Sequence, residues 1–218
     1  MTITISLGNL GSGKTATEVK EMYNNWQFHY YSNIDVNLKN AKIISAKDII
    51  IKEVIGTKKS GEEITKYKPN KEYWRKINKP AVIVIDEAHL LLNPRKSMTK
   101  INVGVTDWLA LLRKIVSDSK FTGRLVLITQ LANRLDNIAV QMATRVKWHI
   151  CHYTKECDNC RTKYYENSDF PKPLMKCPYC ESINLTKKGF KVEVWEFPSM
   201  NKYKEWQFGF IGVKGNRP

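Results

Sequence analysis

Apolar positions divide the chain into short runs separated by amphipathic segments. Residues 2–7 alternate in the manner of a buried strand, and residues 81–86 and 124–130 are apolar runs that end in a polar residue. Strands are predicted at 2–7, 28–36, 81–86, 124–130, 145–154 and 189–197. Helices are predicted at about 16–26, 105–118 and 135–142. Strands that alternate with helices favour an α/β fold with a mostly parallel central sheet.

A separate hairpin is predicted from the segment "IIIKEVIGTKKSGEEITKY". Both sides favour strand, and the turn falls at Lys59-Ser60-Gly61. The region from 52 to 79 interleaves basic residues with aromatic ones, namely Tyr67, Tyr73 and Trp74. Charge combined with aromatic rings is typical of a nucleic-acid surface, but a solvated hairpin explains the pattern at least as well.

Length and charge narrow the class of protein. A chain of 218 residues can bury one good core and carry one small appended module. It holds 36 Lys and Arg against 21 Asp and Glu, a formal net charge of +15. A polyanionic partner is the natural inference, although lysine-rich surfaces also keep proteins soluble. No apolar run reaches the length of a membrane span and the first residues show no signal peptide, so a soluble, intracellular protein is expected.

A glycine-rich segment lies between the first predicted strand and the first predicted helix. It matches the pattern G-x-x-x-x-G-K-[ST] of a phosphate-binding loop, in the context that this pattern requires. Its residues are Gly8, Asn9, Leu10, Gly11, Ser12, Gly13, Lys14 and Thr15. Backbone N–H groups can surround the β-phosphate, Lys14 reaches the β and γ oxygens, and the Thr15 hydroxyl binds Mg²⁺. The sequence therefore predicts a site for ATP and Mg²⁺.

Two carboxylates end the apolar strand of the segment "AVIVIDEAH". Asp86 can hold Mg²⁺ through water, and Glu87 can polarise the water that attacks the γ-phosphate. One acidic pair at a strand end is ordinary, but beside a phosphate loop it favours a hydrolysing ATPase over a kinase. The letters DEAH also mark a helicase family, whose two RecA-like lobes would need a longer chain.

A glutamine ends the next apolar strand. Ligands in parallel sheets bind at the carboxyl ends of the strands, where Gly8, Asp86 and Gln130 all fall. The Gln130 amide could sense the γ-phosphate or orient the water. A polar residue at the point where a strand leaves the core is the simpler alternative.

Four segments together resemble the FtsK/HerA superfamily of P-loop translocases. They are "GNLGSGKT", "YYSNI", "VIVIDEAH" and "RLVLITQLANRLDNIAVQMATRV". The resemblance covers roughly residues 1–150 and is closest to the zonula-occludens-toxin-like ATPases of filamentous phages and to viral genome-packaging ATPases. It implies a RecA-like fold, a homo-oligomeric ring and movement of double-stranded DNA through a central pore. Zonula-occludens-toxin-like proteins usually add a transmembrane segment, which is not expected here.

The resemblance also implies roles for individual residues. Lys14 and Thr15 would bind nucleotide, Asp86 and Glu87 would serve metal binding and hydrolysis, and Gln130 would be the γ-phosphate sensor. These assignments concern the residues already singled out by the phosphate-loop and carboxylate patterns.

Members of the superfamily supply an arginine to the ATP of the neighbouring subunit, where it stabilises transition-state charge. By the resemblance this arginine precedes the Gln-ended strand, and two residues qualify. Arg113 lies on the predicted helix and is narrowly preferred, while Arg124 opens the strand itself. The joining segment "VSDSKFTG" is longer than the common pattern.

Four cysteines form the pairs "CDNC" and "CPYC", with the spacing C-x2-C-x16-C-x2-C. Cys157, Cys160, Cys177 and Cys180 are therefore predicted to bind one structural Zn²⁺, because four thiolates leave no open coordination position. Disulfides would be the alternative in a secreted protein. The fifth, Cys151, is expected to be a buried thiol, with His149 and His152 on the other face of its strand.

The cysteine pairs divide the chain into three parts. Residues 1–150 are predicted to form the ATPase core and 151–188 an inserted zinc ribbon, flanked by strands that pair as a hairpin. Residues 189–218 would complete the core, with 201–218 as one strand and a basic tail. The ribbon could contact DNA, a neighbouring subunit, or a capsid or membrane protein of the particle.

The leading functional hypothesis is an ATP-driven DNA translocase that packages a viral genome. Such a protein is expected in the host cytoplasm, with association with the virion as the alternative. The alternative is a phage assembly or extrusion ATPase that acts on a protein partner. A slow nucleotide-dependent switch is a third possibility, against which Glu87 argues.

Overall fold

A computed structural model of the chain describes residues 1–92, 100–116, 123–168 and 175–215. Side chains 100, 102, 113–115, 167 and 208–215 lie outside this description. The strands are β1 (Thr2–Leu7), β2 (His29–Ser32), β3 (Ala41–Ile43), β4 (Ile50–Thr57), β5 (Glu63–Pro69), β6 (Ala81–Ile85), β7 (Arg124–Ile128), β8 (Arg145–Cys157), β9 (Lys163–Asn167) and β10 (Leu185–Phe197). The helices are α1 (Lys14–Asn24), α2 (Ala46–Ile49), α3 (Lys71–Arg75), α4 (Lys100–Ile115), α5 (Asn137–Gln141) and α6 (Met200–Gly215).

Within the described residues, an eight-stranded sheet runs in the order β10-β8-β1-β7-β6-β2-β3, and β9 pairs with β8. From β8 to β3 every neighbouring pair is parallel, while β9 and β10 are antiparallel to β8. The predicted α/β class of a P-loop NTPase with a mostly parallel sheet is confirmed. Strand β7 lies between β1 and β6, so the three carboxyl ends that were expected to carry the site are adjacent.

Strand β6 lies inside the parallel part of the sheet and is buried on both faces. All of its residues are buried. Ile83 and Ile85 join the larger core cluster on one face, which includes Trp108 of α4, and Val82 joins the cluster on the other face, beside Met22 of α1. A strand that is apolar on both faces is stable only where helices cover both sides of a sheet.

A buried ion pair ties the first helix to the sheet. Lys147 of β8 and Glu18 of α1 are both almost fully buried, with 3.3 Å between Nζ and Oε1. Glu21 Oε1 lies 2.6 Å from the same ammonium group. Burial raises the pKa of Glu18, and the nearby Lys147 opposes the shift. Removing Lys147 would leave Glu18 buried without a compensating charge, whereas Lys147 would keep Glu21 as a partner if Glu18 were removed, so Lys147 links α1 to β8.

The predicted hairpin with its turn at Lys59-Ser60-Gly61 is confirmed as β4 and β5. It forms a separate two-stranded sheet that rests on α4. Gly104 of α4 lies beneath Tyr67 of β5, where a Cβ atom would come within 3.0 Å of the tyrosine Cβ. A side chain at this position would require Tyr67, including its backbone, to shift by a few tenths of an ångström.

The aromatic residues of this region are buried or partly buried, so they do not provide the exposed rings of the predicted nucleic-acid surface. Nucleic-acid binding by the basic residues stays a prediction. Trp74 is fully buried, with its ring centroid 5.4 Å from that of Trp108. Tyr67 and Tyr73 are partly buried and pack against the same core. Their apolar area stabilises the attachment of the hairpin and α3 to α4, because burying aromatic rings removes large apolar surfaces from water.

The end of the chain corrects a second prediction. Residues 200–215 form helix α6, whereas a strand and a basic tail were predicted there. Three apolar residues recur at helical spacing, namely Met200, Tyr203 and Trp206. The Tyr203 ring stacks on Trp148 of β8, with 5.8 Å between the ring centroids. Strand β10 covers the edge of β8 along its whole length, so this segment gains more by packing aromatic rings on the sheet's face than by extending it. No helix in the described part of the chain has the length and apolar character needed to cross a membrane.

Candidate nucleotide site and four-cysteine cluster

The phosphate-loop segment joins β1 to α1 and wraps around its own lysine. Lys14 Nζ donates to the carbonyl oxygens of Gly8 and Asn9, at 2.8 and 2.9 Å. The side chain is almost fully buried, and burial lowers the pKa of Lys14 although Glu87 and Asp86 pull it upward. The ammonium group is therefore held inside the loop, where phosphate oxygens could replace the two carbonyls as its partners.

Two glycines of the loop are required by its backbone and its neighbours. Gly13 caps α1 with φ 83°, and a Cβ atom there would meet Val192 Cγ2 at 2.5 Å. Gly8 has φ 150°, and its Cβ would lie 2.6 Å from the His149 carbonyl oxygen. Both values exclude an ordinary side chain, because left-handed backbone and close approach are tolerated only by glycine. Strands β8 and β10 thus press directly on the loop.

The two predicted Mg²⁺ ligands meet at the end of the loop. Thr15 Oγ1 donates to Asp86 Oδ2 at 2.9 Å, although the residues are far apart in the chain. Asn33, which follows β2, fixes the Asp86 backbone: its side-chain oxygen accepts from Asp86 N at 2.7 Å and its amide donates to the Asp86 carbonyl at 2.9 Å. Asn33 was not singled out, although a polar residue directly after a strand of this sheet is the signal that could have found it.

Glu87 lies beside this pair in an unusual backbone conformation. Its φ of 50° and ψ of 42° are left-handed, which L-residues rarely adopt. Its carboxylate is half-exposed, and its Oε2 lies 3.2 Å from His89 Nδ1. The strained turn directs the chain from β6 into a one-turn helix at Ala88–Leu90 and leaves the carboxylate at the cleft.

These residues line one cleft of about 390 Å³ at the carboxyl edge of the sheet. The predicted residues that it brings together are Leu10, Gly11, Ser12, Gly13, Lys14, Thr15, Asp86, Glu87 and Gln130. Gly8 and Asn9 lie behind the loop and contribute carbonyls to Lys14. The cleft therefore contains acidic and amide groups at the ends of β6 and β7, and the basic group of Lys14 at the start of α1.

The opposite side of the cleft belongs to β8 and β10, and sequence reasoning missed it. Cys151, Tyr153 and Phe190 line this side. Tyr153 and Phe190 are cross-strand partners, and the Tyr153 hydroxyl donates to the Gly11 carbonyl. No sequence signal marks these residues, because they reach the loop only through the pairing of β8 with β1.

Cys151 is a buried thiol, as predicted. Of the two neighbouring histidines that were predicted on the opposite face of the strand, only one lies there. His149 is two positions away, so it shares the face of Cys151, and it is fully buried beneath the loop. His152 lies on the other face, where its Nε2 is 2.8 Å from Glu193 Oε2.

His149 should make stability depend on acidity. Its Nδ1 lies 3.0 Å from the Leu7 carbonyl oxygen, and burial lowers its pKa to about 4 from 6.5. The unfolded chain binds this proton below about pH 6.5 whereas the folded chain resists it, so the stabilisation is complete above that pH and is lost as the pH falls towards 4. The loss should approach about 3 kcal/mol, and about 1 kcal/mol of it should appear by pH 5.5.

Urea unfolding of the wild type and His149→Asn at pH 7.5 and 5.5 checks this. The other histidines are common to both proteins, so their titration cancels in the comparison. We expect the wild type to lose about 1 kcal/mol more than the variant over this interval. An equal loss in both proteins would contradict the assignment.

The two arginine candidates occupy different places. The Arg113 side chain lies outside the described residues, so its position is not defined. Arg124 begins β7 at the end opposite Gln130, and its guanidinium lies 5.0 Å from the Phe28 ring centroid. Of the described residues lining the cleft, none is an arginine.

The four predicted cysteine ligands converge at the far end of the β8–β10 hairpin. Their sulfur atoms all lie within 4.8 Å of one another, with 3.5 Å between Cys157 and Cys180 and between Cys160 and Cys177. Hydrogen bonds with the Thr162 side chain and backbone lower the pKa of Cys160 to about 6. Four converging thiols, one of them readily ionised, fit a closed tetrahedral metal site.

Comparison with known proteins decides the family. Residues 2–191 match the family model described as Zonular occludens toxin (Zot). The chain belongs to the Zot family. The matched range contains both the nucleotide cleft and the cysteine cluster, and it confirms the resemblance inferred from the sequence. No curated protein matches this Zot-family chain.

Solved structures similar to the Zot-family chain include the N-terminal domain of zonular occludens toxin from Neisseria meningitidis. That match has 14% identity and a TM-score of 0.45, and covers 93% of this chain and 97% of the other. Another is the genome packaging NTPase B204 from Sulfolobus turreted icosahedral virus 2 in complex with ATP-gammaS, with 14% identity and a TM-score of 0.43. It covers 67% of this chain and 73% of the other.

Proposed function

We propose that this Zot-family chain is an ATPase motor that moves double-stranded DNA to package a viral genome. The observation that carries the proposal is the 2.9 Å contact between Thr15 and Asp86 at the mouth of the phosphate loop. It unites a hydroxyl and a carboxylate, the hard oxygen ligands that Mg²⁺ prefers, next to Lys14. Thr15 and Asp86 would hold the ion, which neutralises phosphate charge when bound.

The remaining groups of the cleft suit hydrolysis. Glu87 would accept the proton of the attacking water, and the Gln130 amide would orient that water or sense the γ-phosphate. Lys14 would exchange its two carbonyl partners for β and γ oxygens. All three residues line the same cleft as Asp86, which is the arrangement that phosphoryl transfer to water needs.

A neighbouring copy would complete the site. The described lining supplies no guanidinium group, and two exposed apolar side chains, Leu10 and Phe190, line the cleft. A third, Leu90, lines a separate depression that also includes Asp86 and Glu87. A second subunit covering them would bury apolar surface and could insert Arg113 or Arg124 as the arginine finger. A homo-oligomeric ring with ATP between subunits would both cover the exposed apolar side chains and supply the arginine.

The far side of the cleft should hold the base. Because Asp86, Glu87 and Gln130 would receive the γ-phosphate, the base would fall on the β8 and β10 side. There Phe190 is 69% exposed beside Tyr153. Phe190→Ala should weaken ATP binding about tenfold, since stacking of a base on an aromatic ring contributes about 1–3 kcal/mol.

Titration calorimetry with ATP and with inorganic triphosphate tests this stacking. The expected loss is confined to ATP, because triphosphate carries no base. Tyr165→Ala is the matched control, since Tyr165 is an exposed aromatic of β9 that does not line the cleft. A Phe190 variant that loses affinity for both ligands equally would indicate damage to the loop instead.

DNA as the moving partner is supported by charge. The formal net charge of +15 attracts a polyanion, and affinity would fall steeply with salt. ATP hydrolysis by the purified chain with and without linear double-stranded DNA tests the proposal, and DNA should raise the rate. Absence of stimulation at every DNA length and salt concentration would overturn it.

A second function has its own support. The cysteine module exposes large apolar side chains with exposed fractions of 71–79%, namely Tyr165, Met175, Tyr179 and Ile183. Apolar surface of this kind suits a protein partner, such as a capsid or membrane protein of the particle. With structural Zn²⁺ holding the module, the ATPase would then drive phage assembly or extrusion. Stimulation of hydrolysis by such a partner and not by DNA would favour this function.

A further inference from the structure

A basic groove lies beside α4 and shares no lining residue with the nucleotide cleft. The groove runs between the β4–β5 hairpin, α3 and α4, with a volume of about 930 Å³. Its cations are Lys66, Lys68, Lys71, Arg75 and Lys76. Acidic lining is limited to Glu72 and Asp107, so the groove carries five positive groups against two negative ones.

Several of these cations are available to a ligand. Lys68 pairs with Glu53 and Lys76 pairs with Glu72. Lys66, Lys71 and Arg75 are exposed, and none of them has an ion-pair partner among the described residues. Three like charges held along one concave surface repel one another, and a polyanion relieves that repulsion.

The buried aromatics decide which polyanion fits. Single strands gain affinity by stacking bases on exposed rings, but Trp74 is fully buried and Tyr67 and Tyr73 pack against the core. A duplex presents phosphates on its outside and keeps its bases stacked internally. Cations without a stacking surface therefore suit a duplex better than a single strand.

We propose that this groove binds the phosphate backbone of double-stranded DNA through Lys66, Lys71 and Arg75. The inference rests on the proposed DNA translocation and names the surface where the backbone is held. Binding is independent of base sequence, because phosphate contacts carry no sequence information. Attachment of the hairpin to α4 through Tyr67 and Gly104 keeps the cations in place relative to the core.

The test compares two triple variants of the full chain. In the groove variant Lys66, Lys71 and Arg75 are replaced by Gln, and in the control Lys20, Lys39 and Lys204 are replaced by Gln. All six residues are exposed, and each variant lowers the formal charge from +15 to +12. Affinity for a labelled 30-base-pair duplex (a length of about three helical turns) is measured by anisotropy across a salt series.

We expect the groove variant to bind the duplex at least about tenfold more weakly, with the slope of log K against log salt reduced by about 3. The control should keep most of the wild-type slope, and both variants should keep wild-type hydrolysis without DNA. Unlabelled single-stranded DNA of the same length should compete less well than the duplex.

The outcomes separate this inference from the proposed function. If the wild type binds no DNA, the proposed translocation and the groove fail together. If the wild type binds but both variants lose the same affinity, DNA is held elsewhere and only the groove assignment fails. Equal competition by the single strand would overturn the preference for a duplex.

Discussion

Glu87→Gln is expected to lower ATP hydrolysis by about a hundredfold to ten-thousandfold while leaving ATP binding intact. A positioned general base contributes a factor of this size, and the amide cannot accept the proton of the attacking water. The substitution keeps the size of the side chain at the cleft, and the proposed Mg²⁺ ligands Thr15 and Asp86 are unchanged. Steady-state hydrolysis and ATP titration of the same preparation check both halves of the expectation.

Two variants sharpen the interpretation. Asp86→Asn should weaken binding of ATP with Mg²⁺ as well as turnover, because Asp86 is a metal ligand in the proposed site. Glu62→Gln is the matched control, since Glu62 is an exposed carboxylate of the hairpin turn that pairs with Lys58. Near wild-type turnover by Glu87→Gln would show that another group activates the water.

Cys157→Ser is expected to abolish metal binding and unfold the cysteine module. The purified wild type should contain one zinc ion per chain, held by four sulfur atoms that lie within 4.8 Å of one another. Structural zinc contributes on the order of 10–16 kcal/mol in small metal-binding modules, far more than the module's few buried contacts can replace. Metal analysis, followed by limited proteolysis of the module, measures the effect.

Cys151→Ser supplies the control for this experiment. Cys151 is also a buried thiol on β8, but it lies at the nucleotide cleft and outside the cluster. The Cys151→Ser variant should therefore retain the full zinc content. Loss of zinc in both variants, or in neither, would contradict the four-cysteine assignment.

Some elements could be predicted from the sequence, and others could not. The phosphate loop, Asp86 and Glu87 were identified because each is a local pattern attached to a single buried strand. The β4–β5 hairpin was also identified locally, from its turn. Helix α6 was missed because the aromatic residues of 200–215 favour a strand locally, whereas packing on Trp148 favours a helix.

Burial of individual side chains was the harder property to predict. Trp74 belongs to a lysine-rich segment and would be expected at the surface, yet it is fully buried against Trp108. Its neighbours in sequence remain exposed, so composition averaged over the segment concealed its role. His149 was assigned to the wrong face of β8 for a different reason: residues two positions apart in a strand share a face, so its spacing from Cys151 already indicated the same side.

The sequence by itself identified the residues to which we assign the chemistry: a phosphate-loop pattern, two carboxylates at the end of an apolar strand, and four thiols at zinc-binding spacing. These depend on residues close together in the chain, where spacing alone restricts geometry. Only the tertiary structure decided the strand order that places β7 between β1 and β6, and the pairing that presses β8 and β10 against the loop. An apolar strand can pair with any other on both sides, so its neighbours are set by the packing of the whole sheet.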